Sequence, residues 1–178
     1  MKILVVIGHQ NPEQASFCHA IARTAMEELK GAGHEVVYHD LYAEGFDPVL
    51  PQAEIPRDAD VPPEVARHCE EVRSADGYLV VHPNWWGQPP AILKGWIDRV
   101  WVAGVAWNLP DGANRLRPGL RNVRRIVAVT SHGSSKLMNA LEGETGKRTL
   151  FRSLRTMCSR RTRTTWCAIY GLDTADAA

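Results

Sequence analysis

Apolar residues fall into five short runs, separated by stretches in which apolar positions recur every three to four residues. The first run, Ile3–Gly8 (ILVVIG), is continuous and rich in β-branched residues, the pattern of a strand buried on both faces of a parallel sheet. A helical stretch then extends to Lys30, with Phe17, Ile21, Ala25 and Leu29 repeating on one face and Gly31 and Gly33 as its stop. His34–His39 (HEVVYH) reads as a second strand, so residues 3–39 form a βαβ unit. Residues 40–63 contain Pro48, Pro51, Pro56 and Pro62, have no periodicity and predict a long surface loop. Pro62 or Pro63 opens a helix through Arg73, with Val65, Cys69 and Val72 inward. Gly77–His82 (GYLVVH) is the third strand, and a helix runs from about Pro90 through Val100. Residues 103–122 read as irregular, and Arg125–Thr130 (RIVAVT) as the fourth strand. Residues 131–147 form a loop with one helical turn at most, Thr149–Cys158 is helical, and Thr164–Tyr170 (TTWCAIY) is the fifth strand.

Strands alternating with helices through right-handed connections predict one doubly wound α/β/α domain over residues 1–178. In such a fold ligands bind at the carboxyl ends of the strands, near the topological switch point. Composition agrees: 178 residues, 44% hydrophobic and 23% charged, suit a globular domain and exclude a disordered one. The longest aliphatic run, Ile3–Ile7, is too short to cross a bilayer, and MKILVVIGHQNP lacks the features of a signal peptide. Cys18, Cys69, Cys158 and Cys167 show no CxxC spacing, so reduced thiols and a cytoplasmic location are expected.

The net charge of +1 conceals an asymmetry. Residues 1–80 carry 6 Lys/Arg against 14 Asp/Glu (−8), and residues 81–178 carry 15 against 6 (+9). The second half is therefore the better place for an anionic ligand. Residues 147–163 hold seven Lys/Arg and no acid. Aromatic residues do not alternate with these charges as nucleic-acid binding would need, which leaves a solvated helix face or a site for the extra phosphate of NADPH.

Chemistry is concentrated at the predicted strand ends. Gly8-His9-Gln10-Asn11-Pro12 is neither GxGxxG nor a P-loop, which excludes the simple dinucleotide fingerprint. Ser16, at the helix start, either caps the helix or helps its N-terminus hold a phosphate. After the third strand come Pro83, Asn84, Trp85, Trp86 and Gly87, in a stretch (HPNWWGQPPAILKGWIDRVW, residues 82–101) unusually rich in tryptophan. Such backbone amides and aromatic walls suit a planar ring with polar edges, whereas Trp96 and Trp101, on the helix, read as core. Thr130, Ser131, His132 and Gly133 follow the fourth strand, small enough for close approach of a ligand. His9, His82 and His132 each end a strand, but no acid stands beside them, and no metal site is expected.

The stretch WWGQPPAILKGWIDRVW closely resembles the signature of the flavodoxin-like NAD(P)H:quinone reductases, the DT-diaphorase family. His9 with Ser16-Phe17, and Asp40-Leu41-Tyr42 with Phe46-Asp47-Pro48, agree with it, so the resemblance covers about residues 3–133. It implies a five-stranded parallel sheet of order 2-1-3-4-5, a bound flavin and a homodimer with active sites at its interface. It further implies that His9, Ser16, Phe17 and Cys18 line the flavin phosphate, with Cys18 departing from a usual Asn. Pro83 to Gly87 would hold one flavin edge, Thr130 to Gly133 the other, with His132 stabilising developing charge as the catalytic group. The family's Tyr and His in the next loop are missing from SSKLMNALEGETG, so no proton relay is transferred. The few residues after the fifth strand favour FMN over FAD. The implied activity is hydride transfer from NAD(P)H through the flavin to a quinone. The alternative is a regulatory or electron-carrying flavoprotein such as an ancillary subunit of a potassium efflux system.

Overall fold

The unbroken apolar run near the N-terminus becomes strand β1 (Lys2–Ile7), and its burial explains its composition. In the computed structural model, which describes residues 1–11 and 13–174, β1 lies between two parallel neighbours. Val5 pairs with Tyr38 of β2 (Glu35–Asp40) on one side and with Leu79 of β3 (Gly77–Pro83) on the other. Helices pack on both faces of this strand, so it has no solvent face and alternation disappears. The principal sheet continues through β6 (Arg125–Ser131) to β7 (Arg163–Ile169), in the order β2-β1-β3-β6-β7, all parallel. Counted within that sheet, this is the expected 2-1-3-4-5.

Helix α1 (Phe17–Gly31) covers one face. Cys18, Ala22, Ala25 and Leu29 meet Val5, Ile7, Leu79 and Val81. Phe17, expected inward, is instead 48% exposed, because the stripe of the helix that meets the sheet runs through Cys18 and Ala22, and Phe17 lies on its flank. On the opposite face α2 (Pro63–Ser74) and α3 (Ala91–Val100) enclose Leu4, Val6, Tyr78, Val80, Ile126 and Ala128, together with Trp96 and Trp101. The Pro-rich connection after β2 is strapped to α3 by a buried ion pair: Arg99 donates to Glu54 Oε2 at 2.9 Å and to the Asp47 carbonyl at 2.6 Å. Close approach to the Pro48 backbone requires the bare Cα of Gly95, where a Cβ would collide with Pro48.

Two segments differ from expectation. Residues 103–122 contain a two-stranded antiparallel ribbon, β4 (Trp107–Asn108) with β5 (Arg117–Pro118), whose strands are too short for any periodicity to reveal. Residues 131–147 hold α4 (Lys136–Leu141), capped by the Ser135 hydroxyl, and α5 (Thr145–Arg148), which runs on through a π-turn (Thr149–Ser153) and a 3₁₀ turn (Leu154–Met157). Polar caps and exposed apolar residues hide these helices from a periodicity reading. β7 is an edge strand with strict alternation: Trp166 turns to the core, while Cys167 and Ile169 are exposed on the face α1 does not reach. Among the described residues no helix is long and apolar enough to cross a membrane.

Candidate active site at the carboxyl ends of the strands

The connection from β1 to α1 forms the first wall. Ser16 caps the helix, its Oγ accepting the His19 N–H at 3.2 Å. The same oxygen lies 2.6 Å from His19 Nδ1, while His19 Nε2 meets Asp40 Oδ2 at 3.1 Å. With Nε2 facing the carboxylate and Nδ1 facing the Ser16 hydroxyl, one hydrogen-bonded chain runs from Ser16 through His19 to Asp40, so Ser16 is committed to it. His9 Nδ1 accepts the Asn11 N–H at 3.1 Å, and its ring stands edge-on to His19. Burial, then the neighbouring His19, lowers the His9 pKa, and a neutral imidazole results near neutral pH. Among the described residues the backbone N–H groups of Phe17 and Cys18 have no acceptor. Such first-turn donors form an anion cradle. The Cys18 side chain turns away: it is buried, its Sγ 3.6 Å from Ser131 Oγ, and burial raises the thiol pKa.

The second wall follows β3. Trp85 and Gln88 exchange backbone hydrogen bonds at 2.9 Å each, and the two residues between have φ of 51° (Trp86) and 73° (Gly87). This is a type I′ turn. A tryptophan at positive φ is unusual, and it places the Trp86 ring 95% exposed at the tip, with Trp85 50% exposed beside it. Pro83 and Asn84 are half-buried, and Gly87 is buried. The Gly87 carbonyl accepts from Gly146 N and Thr145 Oγ1, both at 2.8 Å. The N–H groups of Trp86 and Gly87 are without acceptors among the described residues.

The third wall follows β6 and joins the second, since Asn84 N–H donates to the Ser131 carbonyl at 2.7 Å. His132 is buried, its ring stacked on Tyr170 with centroids 4.6 Å apart. Its Nδ1 lies 2.6 Å from Asn139 Oδ1, and that oxygen also accepts from Asn84 Nδ2 at 3.2 Å. Nδ1 therefore carries the proton, and Nε2 is a buried lone pair without a partner among the described residues. His82 has the same arrangement, Nδ1–H donating to the Pro83 carbonyl at 2.9 Å and Nε2 unpartnered. Burial, with the nearby His132, pushes the His82 pKa down to about 4, and burial likewise lowers that of His132. Both rings are neutral at pH 7. Thr130 is buried with its hydroxyl unpartnered among the described residues. Gly133 lies under the Asp173 carboxylate, where any Cβ would collide with it.

Of the residues singled out in the sequence, the fold thus gathers His9, Ser16, Phe17, Cys18, Pro83 to Gly87 and Thr130 to Gly133 at one edge of the sheet. It turns the side chains of Cys18, Thr130 and His132 inward. Sequence reasoning missed Asn139, whose tie between the second and third walls has no signature in a polar stretch. It also missed Gln10 and Lys94, which with Tyr42, Trp85, Pro89 and Ala91 line an open cleft of about 570 Å³ beside the turn.

Below β2 lies a separate polar network. His39 Nδ1 meets Glu44 Oε1 at 2.8 Å and its Nε2 meets Glu71 Oε2 at 2.5 Å. His68 Nε2 reaches Glu44 Oε2 at 3.3 Å, and His68 Nδ1 accepts the Trp96 indole N–H at 3.2 Å. His39, Glu44 and His68 offer ligand atoms within 4.8 Å of one another. The Trp96 bond fixes the His68 proton on Nε2, the atom facing Glu44, so the arrangement is a hydrogen-bonded charge network as it stands.

A parallel sheet of this order, with free helix-start amides and an aromatic turn at its switch point, defines a doubly wound α/β protein with a candidate ligand site at its strand ends. The chain belongs to the family described as flavodoxin-like fold, which it matches over residues 1–173. It is similar to NAD(P)H dehydrogenase [quinone] 1 of Rattus norvegicus, 32% identical over 164 residues, which are 82% of this chain and 58% of the relative. It spans little more than half the length of that relative and of NAD(P)H dehydrogenase [quinone] 1 of Cavia porcellus. Smu.1420 from Streptococcus mutans UA159 superposes with a TM-score of 0.83 at 29% identity, covering 99% of this chain and 91% of that one. An FMN-dependent NADH-azoreductase from Bacillus anthracis, solved with FMN, shares the fold at a TM-score of 0.75 and 15% identity, covering 99% and 90%.

Proposed function

We propose that this protein is a flavin-dependent NAD(P)H:quinone oxidoreductase, with FMN as its cofactor and FAD as the alternative. The observation that carries this reading is the meeting of two features at one sheet edge. The acceptor-free amides of Phe17 and Cys18 stand across the switch point from the Trp85–Gln88 turn, in which the Trp86 and Gly87 amides also have no acceptor among the described residues. A phosphate tail suits the first and the polar rim of a flat ring suits the second. The relatives named NAD(P)H dehydrogenase [quinone] 1 support it.

The flavin, when bound, supplies a two-electron acceptor for hydride from NAD(P)H and a donor of the same electrons to a quinone. The protein's own part is to bind, orient and keep neutral. Phe17 and Cys18 amides hold the phosphate with no formal charge, while His9 beside them stays uncharged. Amides of Trp86 and Gly87 donate to the ring edge, and Trp85 with Trp86 forms the slot used in turn by nicotinamide and acceptor. One slot serving two substrates gives ping-pong kinetics. His132 acts through Asn139: its Nδ1–H orients the carboxamide that holds Asn84, so it positions the ring edge while staying neutral. Trp86, together with the exposed Leu137 and Leu141 (72% and 75%), supplies the apolar surface for a homodimer that closes the slot. A cytoplasmic location fits four cysteines held as thiols.

The test is direct. Purified protein incubated with FMN should turn yellow, retain the cofactor through gel filtration, and oxidise NADPH or NADH in the presence of a benzoquinone. Failure to take up either FMN or FAD would sink the reading.

A further inference from the structure

The basic segment after residue 145 makes a pocket of about 280 Å³, walled by Gly143, Glu144, Lys147, Arg148, Phe151 and Arg152. Its charges are unbalanced. Lys147 pairs with Glu144 at 3.1 Å, and the Tyr170 hydroxyl holds the other Glu144 oxygen at 3.3 Å. Arg148 and Arg152 have no acceptor or ion pair among the described residues, although they stand one turn apart on the same helical path. Like charges at that spacing repel, and the acid that lines the pocket with them, Glu144, is paired with Lys147. The Arg148 guanidinium instead lies over the bare backbone of Gly143, 3.8 Å from where a Cβ would be, which leaves its outer N–H groups open. Two such forks beside a half-buried aromatic ring match a phosphate next to a nucleoside.

The pocket is coupled to the slot. The chain that walls it begins at Thr145 and Gly146, both of which hold the Gly87 carbonyl of the tryptophan turn. From Gly146 to Arg152 the path advances roughly 9 Å at the helical rise. A dinucleotide with its nicotinamide in the slot can therefore pass its adenosine end along this helix.

We propose that Lys147, Arg148 and Arg152 form the subsite for the 2′-phosphate of NADPH and make this protein selective for NADPH over NADH. The assignment rests on the oxidoreductase reading above and extends it to the choice of reductant.

The experiment compares the wild type with the Arg148→Ala/Arg152→Ala variant of the flavin-loaded protein. The expected result is a fall in kcat/KM for NADPH of about 10- to 100-fold, with NADH within about 2-fold of wild type. Equal losses for both nucleotides, or an unchanged NADPH preference, would overturn the proposal. A second measurement keeps it separate from the oxidoreductase reading: calorimetric titration of the protein with 2′-AMP, 5′-AMP and inorganic phosphate. Saturable binding of 2′-AMP that is at least about 10-fold tighter than 5′-AMP and inorganic phosphate, and is lost in the variant, supports the subsite even if no quinone is reduced. Binding of inorganic phosphate as tight as that of 2′-AMP, or binding unchanged in the variant, overturns it even if reductase activity is found.

Discussion

His132 donates its Nδ1–H to Asn139 Oδ1 at 2.6 Å, and through that carboxamide the loops after β3 and β6 are held as one surface. Asn139 is itself buried, and its Nδ2 donates to Ser134 Oγ and the Ser135 carbonyl at 2.9 Å each. Asn139→Ala leaves the His132 donor unsatisfied, at a cost of about 1–3 kcal/mol. The expected outcome is a weaker flavin complex, with Kd raised about 10-fold, because both loops lose register. Fluorescence titration with FMN measures this, and Asn139→Asp, which keeps the acceptor oxygen, should recover part of it.

The turn that carries Trp86 predicts opposite effects on stability and activity. Its φ of 51° is a conformation glycine adopts without strain, and the exposed ring has little packing to lose within the chain. Trp86→Gly should leave the unfolding free energy unchanged or raise it by about 1 kcal/mol. Turnover of NAD(P)H with a quinone should fall by at least about 10-fold, since the slot loses a wall. Urea unfolding and steady-state rates on the same preparation check both halves. A variant of full activity would remove Trp86 from the slot.

The network around His39 predicts a stability optimum. Burial opposes the charged form of His39, but hydrogen bonds and attraction from Glu44 and Glu71 outweigh it, and its pKa is raised. Its contribution is therefore complete below the unfolded value near 6.5 and is lost as pH rises through the higher folded value. Burial also opposes the Glu44 charge, yet bonding to His39 and His68 lowers its pKa from 4.5 to about 2. That contribution is present above 4.5 and disappears as pH falls from 4.5 towards 2. The urea midpoint should peak between pH 4.5 and 6.5. Glu71→Gln should lower the folded pKa of His39 and bring the alkaline decline to lower pH, as histidine NMR titration would read.

Gly95 predicts a purely structural effect. A methyl group there meets the Pro48 backbone, which the Arg99–Glu54 pair holds in place and which cannot yield as a flexible side chain would. Gly95→Ala should therefore destabilise the protein by about 1–3 kcal/mol, although alanine favours helix elsewhere. A midpoint equal to or above wild type in urea would show that the strap moves freely.

Much of this architecture was present in the order of the residues. β1 and β3 are covered by helices on both faces of the sheet, so their unbroken apolar runs could mean little else, and the tryptophan turn and α3 carry a pattern specific enough to name a family. Which side chains would meet was decided only in three dimensions. Phe17 follows the periodicity of α1 yet lies outside, because the buried stripe of the helix runs through Cys18 and Ala22 instead. His132 stands at a strand end with its ring turned into the core, where burial and Asn139 fix its proton. Asn139 and the pair Arg148 and Arg152 are polar residues in a stretch without periodicity, and their meaning comes from which loops and cations the helical path brings together. Local pattern reports how much of a segment is buried; only tertiary contact reports what each polar atom faces, and hydrogen bonding and charge depend on the latter.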